Sequence, residues 1–416
     1  MKLYNSASKK IEDFIIRDNH ARIYVCGVTP YDTTHLGHAF TYTVNDILIR
    51  YLESQGVQVT YVQNVTDIDD DILRKARETG EDWRALGNRW TRHFLEDLKT
   101  INVRPPDYYP RATGTIPEIV AMVEKLLAAG VAYENQGSVY FEIDAWDRYG
   151  SLSCLSREEM LPIANQRGNK PDDPKKRHPL DFVLWQAQAP DEPAWDSPWG
   201  AGRPGWHIEC SAMSTKYLGE TIDVHSGGGD LLYPHHESEI AQVEPLTGEP
   251  FVRFWLHVAM VRYIGEKMSK SLGNLVMVRD LLKRYPAGAL RLYLASFHYR
   301  QVWDFVESDL GAKAELYTKL LMANSLPGGT NLSLDGEPWR VQFTEALAND
   351  LDTPRALSLL EELADFIILR AGAGSRVQDA QKTLRELAGV FGARLGASEP
   401  EERVMQGWNR HLQDFV

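Results

Sequence analysis

Cysteine is scarce in this chain, with three in 416 residues: Cys26, Cys154 and Cys210. Three thiols cannot all pair, which points to metal or reactive chemistry rather than a disulfide frame. No run of about 18 uninterrupted apolar residues occurs, which argues against a membrane-spanning helix. The opening MKLYNSASKK is polar and lacks the apolar core of a signal peptide. A cytoplasmic location is therefore expected. Positive charge is in deficit: 45 Lys and Arg face 58 Asp and Glu, a net charge of −13. That balance excludes nucleic-acid binding driven by a global basic field, although not a local basic track. Internal repeats and low-complexity tracts are absent. What is present is a chain that is 43% apolar, the level of a folded globular protein, and long enough for two or three structural units.

The first regular pattern is Arg22 to Gly27, which reads as a buried strand ending in a turn. Pro30 and Gly37 punctuate the loop that follows. Residues 39–52 place Val44, Ile47, Leu48 and Tyr51 on one helical face, and the β-branched stretch 57–62 reads as a second strand. Strand, loop, helix and strand make a βαβ unit, expected to be parallel and right-handed. A charged helix is expected over 74–101, ended by Pro105-Pro106, and another over 116–128. Residues 161–178 (LPIANQRGNKPDDPKKRH) are rich in Pro, Gly, Asn and charge, and predict a mobile surface excursion. Helical sequence returns at His207–Leu218 and His235–Glu244, with strands at Ile222–His225 and Phe254–Val261. Beyond Asp304 the chain reads as helix almost throughout. On either side of Asp304, Arg291, Arg300 and Lys313 are either a basic track or solvated helix faces, the latter favoured.

Two short motifs carry the chemistry. His35-Leu36-Gly37-His38 follows the first predicted strand, and Lys267-Met268-Ser269-Lys270-Ser271 lies far downstream. A strand, tight turn and helix present backbone N–H groups and a positive helix end to an anion. His35 and His38 add donors, Gly37 permits close backbone approach, and Lys267 and Lys270 add cations. Alone, either motif is weak: His-x-x-His can be a surface accident or a metal-site fragment, and the lysine stretch a solvated turn. In this order they form a two-part nucleotide clamp, which suits joining a carboxylic acid to AMP with release of pyrophosphate.

A second constellation involves sulfur. Cys26 ends the first strand, and Cys210 lies in Trp206-His207-Ile208-Glu209-Cys210. His235 and Glu239 stand four apart on one helical face. Two thiolates, an imidazole and a carboxylate suit tetrahedral zinc. His236 and Glu237 are further candidates. Because the four are distant in sequence, the alternative of ordinary buried cysteines and a core histidine stays open. Cys154 reads as unremarkable.

At these residues the chain resembles the class I cysteinyl-tRNA synthetases and their relative, the cysteine ligase of mycothiol synthesis. The resemblance runs through Tyr24 to Gly27, His35 to His38, Asn64 to Asp70, Leu180 to Trp185, Pro198 to Cys210, Gly227 to Glu239 and Lys267 to Asn274, about the first three hundred residues. It implies an α/β fold: a doubly wound, Rossmann-like parallel sheet bearing the HIGH-type and KMSKS-type motifs, with an insertion and a C-terminal helical domain. The corresponding units are 1–225 with 226–275 (insertion about 105–200), a linking segment 276–310 and a helical unit 311–416. It further implies zinc on Cys26, Cys210, His235 and Glu239, and cysteine against Thr29, Thr66 and Trp206. ATP, with Mg²⁺, would be surrounded by Gly27, His35, Gly37, His38, Gly229, Asp230 and Lys270. His35, His38, Lys267 and Lys270 would act on the reacting phosphate.

The two branches differ in acceptor. One delivers cysteine to tRNA, the other to the amine of glucosaminyl-inositol. Val28-Thr29-Pro30-Tyr31-Asp32-Thr33-Thr34-His35, the Ala39 that follows His38, and the segment 165–181 resemble the small-acceptor branch. The chain also stops at Val416 without a counterpart of the synthetases' basic terminal module, and Ser398-Glu399-Pro400-Glu401-Glu402 is a poor surface for RNA. A small amine acceptor is thus the leading expectation, with tRNA the alternative that Glu239 supports. A monomer is the default expectation for oligomeric state.

Overall fold

A computed structural model describes residues 1–31, 34–268, 272–396 and 399–415. Lys270, Ser269 and Ser271 of the lysine motif, Asp32 and Thr33 of the first loop, and Ser398 of the acidic stretch lie outside the described residues. The chain opens with an antiparallel hairpin, β1 (Lys2–Asn5) and β2 (Lys10–Asp13). The βαβ unit follows as β3 (His20–Val28), α1 (Leu36–Ser54) and β4 (Gln58–Val65). β3 pairs in parallel with β4, with Ile23 opposite Tyr61. α1 lies on this sheet through Leu36, Phe40, Ile47 and Leu48, all buried. Those are the positions a 3.6-residue period brings to one side.

The predicted helix over 74–101 is two helices, α2 (Asp70–Thr79) and α3 (Trp83–Thr100). Gly80 takes φ +69° and ends the first, and Asp82 caps the second by accepting from Arg84 N–H and Ala85 N–H. A left-handed glycine followed by an aspartate cap is a helix stop and start.

Next come α4 (Ile116–Ala128), β5 (Ala132–Asn135), β6 (Ser138–Phe141), α5 (Arg157–Asn165), β7 (Phe182–Ala187) and β8 (Gly202–Pro204). The four strands form an antiparallel sheet in the order β5-β6-β7-β8. They enclose a separate apolar cluster that includes Ile119, Val123, Phe141, Leu184 and Trp185. Here the expected excursion over 161–178 is corrected. It begins inside α5, which starts with a reciprocal Ser156–Glu159 cap, and then folds back as ordered turns. Tyr140 Oη donates to Asp173 at 2.8 Å, Asn135 Nδ2 to the Lys175 carbonyl at 2.9 Å, and Arg177 N–H to Tyr133 Oη at 2.8 Å. Polar composition misled because these groups bond to the sheet beneath rather than to water.

The chain then returns to the parallel layer as α6 (Trp206–Leu218), β9 (Ile222–Gly228), α7 (Glu237–Thr247) and β10 (Val252–Val258). The parallel sheet has the order β10-β9-β3-β4. β4 lies to one side of β3, and β9 and β10 to the other. The reversal between β3 and β9 opens a crevice at the strands' carboxyl ends, where ligands bind in open α/β sheets. Short strands β11 (Val261–Tyr263), β12 (Glu266–Lys267) and β13 (Trp303–Asp304) surround α8 (Val278–Leu282) and α9 (Ala287–Ala295). Five longer helices follow: α10 (Glu307–Ser325), α11 (Glu337–Ala348), α12 (Thr353–Gly372), α13 (Gln378–Val390) and α14 (Glu399–Gln413). Among the described residues no helix is long and apolar enough to cross a membrane.

The expectation for Arg291 is also corrected. Its side chain is fully buried, paired with Asp46 of α1, and donates from Nε to the Phe391 carbonyl at 2.6 Å. Burial pushes its guanidinium down to about 10 despite Asp46. For Asp46, burial is outweighed by Arg50 and Arg291, and its carboxyl sits below the ordinary range. The pair ties α9 to α1, so it is an internal strut and no part of a surface track. Arg300 pairs with the buried Asp350 at 2.6 Å. Removing Arg291 leaves buried Asp46 with Arg50 at 2.9 Å as its remaining ion pair and the Phe391 carbonyl without this donor, at a cost of about 3 kcal/mol, the low end for a broken buried pair. Arg291→Ala should lower urea-unfolding stability by about that amount, whereas Lys283→Ala, which loses the exposed contact to Asp280, should change it by less than about 0.5 kcal/mol. Comparable losses in the two variants would contradict the strut.

Candidate active site

A cavity of about 900 Å³ occupies the crevice. Its floor begins at the end of β3. An added Cβ on Gly27 would lie 1.6 Å from the Asn64 carbonyl oxygen, so only glycine lets β3 pass β4 there. Gly27 N–H also donates to Asn64 Oδ1 at 2.8 Å. This crossing aims Cys26 inward and releases the chain into the loop that leads to α1. Tyr42 Oη holds the Cys26 carbonyl at 2.8 Å.

His35 caps α1. Its Nδ1 accepts from Gly37 N–H at 3.1 Å and His38 N–H at 3.4 Å. An accepting Nδ1 on a neutral ring leaves Nε2–H as the donor it can offer. The rings of His35 and His38 stack at 3.7 Å. A Cβ on Gly37 would press on the His35 ring at 3.0 Å, which accounts for the glycine. The second motif sits beside the first. Leu36 N–H donates to the Val276 carbonyl, Val278 N–H to the Thr34 carbonyl, and His35 bridges to Met277. Met268 is buried in the central core, while Lys267 reaches Asp230 at 3.6 Å. The segment that follows the second motif is thus tied to the first through the main chain.

The floor gathers the sulfur and imidazole groups. Cys26, Cys210, His235 and Glu239 place one ligand atom each within 4.8 Å of one another, and all four are buried. His235 Nε2 is 3.2 Å from Glu239 Oε1, and Cys26 Sγ is 3.9 Å from the same oxygen. His207 Nδ1 meets His235 Nδ1 at 2.9 Å, and Trp206 stacks on His235 with centroids 4.4 Å apart. Burial pushes the Cys26 thiol and the Glu239 carboxyl up, Cys26 being raised further by Cys210, and holds His235 well down. Groups that burial keeps neutral have no resident counter-charge. A dication is the partner that would ionise the thiol and carboxyl, and the donor set suits zinc in softness and number.

Glu237, another candidate ligand, has a different role. It is fully buried and accepts from Gly150, Leu152 and Ser153 N–H, anchoring the insertion to α7. His236 faces Cys26 Sγ at 3.3 Å and His257 at 2.8 Å. Thr66 is buried, and Asn64 Nδ2 donates to its Oγ1 at 3.4 Å. Thr29 and Trp206 line the cavity, as do Gly228 and Asp230, while Gly229 turns the chain between them.

Sequence reasoning missed Arg167, His225 and His257. Arg167 reaches from the turn after α5 to Asp230 at 2.8 Å, so the insertion closes over the rim. Burial raises Asp230, but Arg167 and Lys267 outweigh it and hold the carboxyl low. The mixed-charge run around Arg167 was the available signal. His225 and His257 carried none, since a lone histidine in a strand has no local context.

With the geometry in hand, comparison with known proteins is direct. The family model for the catalytic domain of class I (C) tRNA synthetases matches residues 13–315. The chain belongs to this family. A protein named cysteine–tRNA ligase from Dehalococcoides mccartyi strain 195 is 43% identical over 405 residues, covering 96% of this chain and 88% of that protein. One from Alkalilimnicola ehrlichii is 45% identical, covering 98% and 88%, and one from Thermococcus onnurineus is 50% identical, covering 74% and 64%. The fold is shared with Mycobacterium tuberculosis methionyl-tRNA synthetase bound to methionyl-adenylate, at TM-score 0.62 and 14% identity over 92% of this chain and 93% of that one. A LeuRS–tRNA–LeuAMS complex from Agrobacterium radiobacter K84 also scores 0.62, at 11% identity over 97% and 86%.

Two outcomes follow for this synthetase-family site. Burial raises Asp69, at the cavity wall, to about 6. A carboxyl with a folded-state pKa above its unfolded value contributes stability below about pH 4 that is lost as pH rises through about 6. Asp69→Asn keeps the α2 cap and should flatten the stability profile between those limits, read by thermal melts across pH. An unchanged slope would remove Asp69 as its source. Separately, Arg167→Ala should speed proteolytic cutting within 166–179 while changing global stability by less than about 1 kcal/mol. Unaltered cutting would mean that the Asp230 pair does not hold the insertion down.

Proposed function

We propose that the chain activates cysteine with ATP as the adenylate, releasing pyrophosphate, and transfers the cysteinyl group to tRNA. The observation that carries this reading is the sulfur–imidazole–carboxylate cluster at the base of the same cavity whose rim is built from both nucleotide motifs. The acceptor rests on the relatives at 43–50% identity, which bear tRNA in their names. The amino-sugar amine expected from loop and insertion details has no counterpart among those relatives, and tRNA takes its place here.

Cys26, Cys210, His235 and Glu239 would hold zinc, which when bound supplies a contact that a thiolate fills and a hydroxyl fills poorly. Trp206, stacked on His235, limits the room beside the substrate's side chain, and Thr66 offers a hydroxyl at the floor. At the rim, the positive end of α1 and the rings of His35 and His38 would meet the triphosphate, which enters with Mg²⁺. Lys267 lies on the far side of the cleft, and Lys270 belongs to the same motif. Asp230, freed from Lys267 when phosphate attracts that lysine, is placed to accept from a ribose hydroxyl. The substrate carboxylate attacks the α-phosphorus as pyrophosphate departs. A terminal ribose hydroxyl of tRNA then attacks the carbonyl, and AMP departs. Residues of the chain position and stabilise charge, and form no covalent bond to substrate.

Cysteine-dependent ATP–pyrophosphate exchange and charging of total tRNA with labelled cysteine test the reading, run beside ligation to glucosaminyl-inositol. Charging of tRNA is expected. Amide formation without charging would overturn the acceptor. Cys26→Ser should lower exchange by about 10²-fold or more and erase the preference for cysteine over serine. A variant that still rejects serine would remove the thiol–metal argument.

A further inference from the structure

A buried carboxylate outside the cavity is built into the scaffold of its nucleotide end. Asp350 stands between α11 and α12, is buried, and takes φ +56°. Its N–H donates to the Lys2 carbonyl at 3.0 Å, and its Oδ1 accepts from Tyr4 N–H at 2.8 Å, so the helical unit is fastened to β1. The same carboxylate holds the turn 298–300. Oδ1 accepts from Tyr299 Oη at 2.6 Å, and Oδ2 from Arg300 Nε at 2.8 Å. The Asp350 carbonyl faces His298 Nε2 at 3.0 Å. Each residue of the turn is thus bonded to Asp350, through bonds that are short and directional where charge assists them.

That turn carries two parts of the cleft. Ala259 N–H donates to the Tyr299 carbonyl at 2.7 Å, just past the end of β10, where Val258, Ala259 and Met260 line the cavity. The chain at Asp230 packs on the same strand end, since a Cβ on Gly229 would lie 3.3 Å from the Val258 carbonyl oxygen. Beyond the turn, β13 pairs in parallel with β11, Val261 opposite Trp303. β11 pairs with β12, Arg262 opposite Lys267, and Lys267 reaches Asp230 at 3.6 Å. The cysteine end has other supports. Cys26 lies on β3, Thr66 follows β4, and Trp206 and Cys210 lie on α6.

We propose that Asp350 is a positioning residue for ATP. It acts through Tyr299 and Arg300, which set the end of β10 and the β13–β11–β12 arm that carries Lys267, and it leaves the cysteine end unaltered. This role rests on the nucleotide reading above. Asp350 touches no substrate. It holds the cavity wall and the lysine at a fixed separation, so that ATP meets a preformed site and loses no affinity to ordering it.

Titration calorimetry with ATP and steady-state pyrophosphate exchange on the full chain test this. Asp350→Asn keeps the size of the side chain but turns amide N–H groups toward Arg300. Tyr299→Phe removes a single hydroxyl and keeps the ring. Each should weaken ATP binding and raise KM for ATP by about fivefold or more, with KM for cysteine within about twofold of wild type. Hydrogen exchange over 258–263 should quicken in both variants, with 22–28 unchanged. Leu360→Ala, buried further along α12, is the control for general destabilisation: it should lower the melting temperature and leave KM for ATP unchanged. A folded Tyr299→Phe protein with wild-type ATP affinity would overturn the role, even where Asp350→Asn fails to fold. Equal rises in both KM values, or a Leu360→Ala protein that weakens ATP as much, would overturn it too and leave Asp350 a structural anchor. A wild type that binds ATP without exchange would defeat cysteine activation and leave the calorimetric comparison decisive for Asp350. A wild type that binds no ATP would defeat the nucleotide reading, and this role with it.

Discussion

The crossing of Gly27 over Asn64 is the constraint on which the site depends. Parallel pairing of β3 with β4 brings the two chains together where any side chain on residue 27 would strike the Asn64 carbonyl. The contact fixes three directions at once. Cys26 turns toward the histidines and Glu239, Thr66 reaches the floor from the neighbouring strand, and Val28 leads out to the turn that His35 caps. A shift of one residue would put Cys26 on the opposite face of the sheet, since side chains alternate. The nucleotide rim depends on the same strand end, because the His35 turn is pinned to residues 276–278 only once it leaves β3 at that point.

The cavity floor is dense in imidazole and sulfur. His207, His225 and His257 are pushed down to about 3 by burial, and His235 and His236 well below their ordinary range. These five imidazoles and two buried cysteines make a floor rich in lone pairs. Hydrophobic packing alone would not call for that many costly polar groups. The rim is opposite in character, with Arg167 and Lys267 converging on Asp230. On the proposed reading the cluster would hold a cation and the rim an anion, at two ends of one cavity that a substrate joining a thiol to a carboxylate would span.

How much of this was legible varied with the distance over which the cause acts. The β3–α1–β4 unit was plain, because alternation and helical period are local and the apolar residues fall where the sheet buries them. Its partners β9 and β10 were read as strands, but their place beside β3 was not, since pairing order leaves no mark on a single segment. The quartet of Cys26, Cys210, His235 and Glu239 was a candidate from its residue types, but only resemblance favoured it over ordinary buried cysteines, because its members come from separate elements. Arg291 was misjudged for a related reason. Arginine is ordinarily exposed, and what buries it here is Asp46, far away on α1. The turns after α5 were misjudged because polar residues satisfied by a sheet look the same in sequence as polar residues satisfied by water.

The depth of the sulfur cluster bears on how cysteine could be told from serine without a separate correcting site. Replacing sulfur by oxygen barely alters size, and an apolar pocket separates such neighbours by only about 1–3 kcal/mol. Ligand softness separates them far more, because zinc favours a thiolate over a hydroxyl that stays protonated. That advantage needs a dry, rigid donor set, since water would compete for the open position. Trp206 over His235, Tyr42 on the Cys26 carbonyl and the buried Glu239 meet that need. On the proposed reading, discrimination would be settled at the cavity floor, away from the phosphate at the rim. The two ends would then divide the work, the floor selecting the amino acid and the rim, where Arg167 meets Asp230, receiving the phosphates.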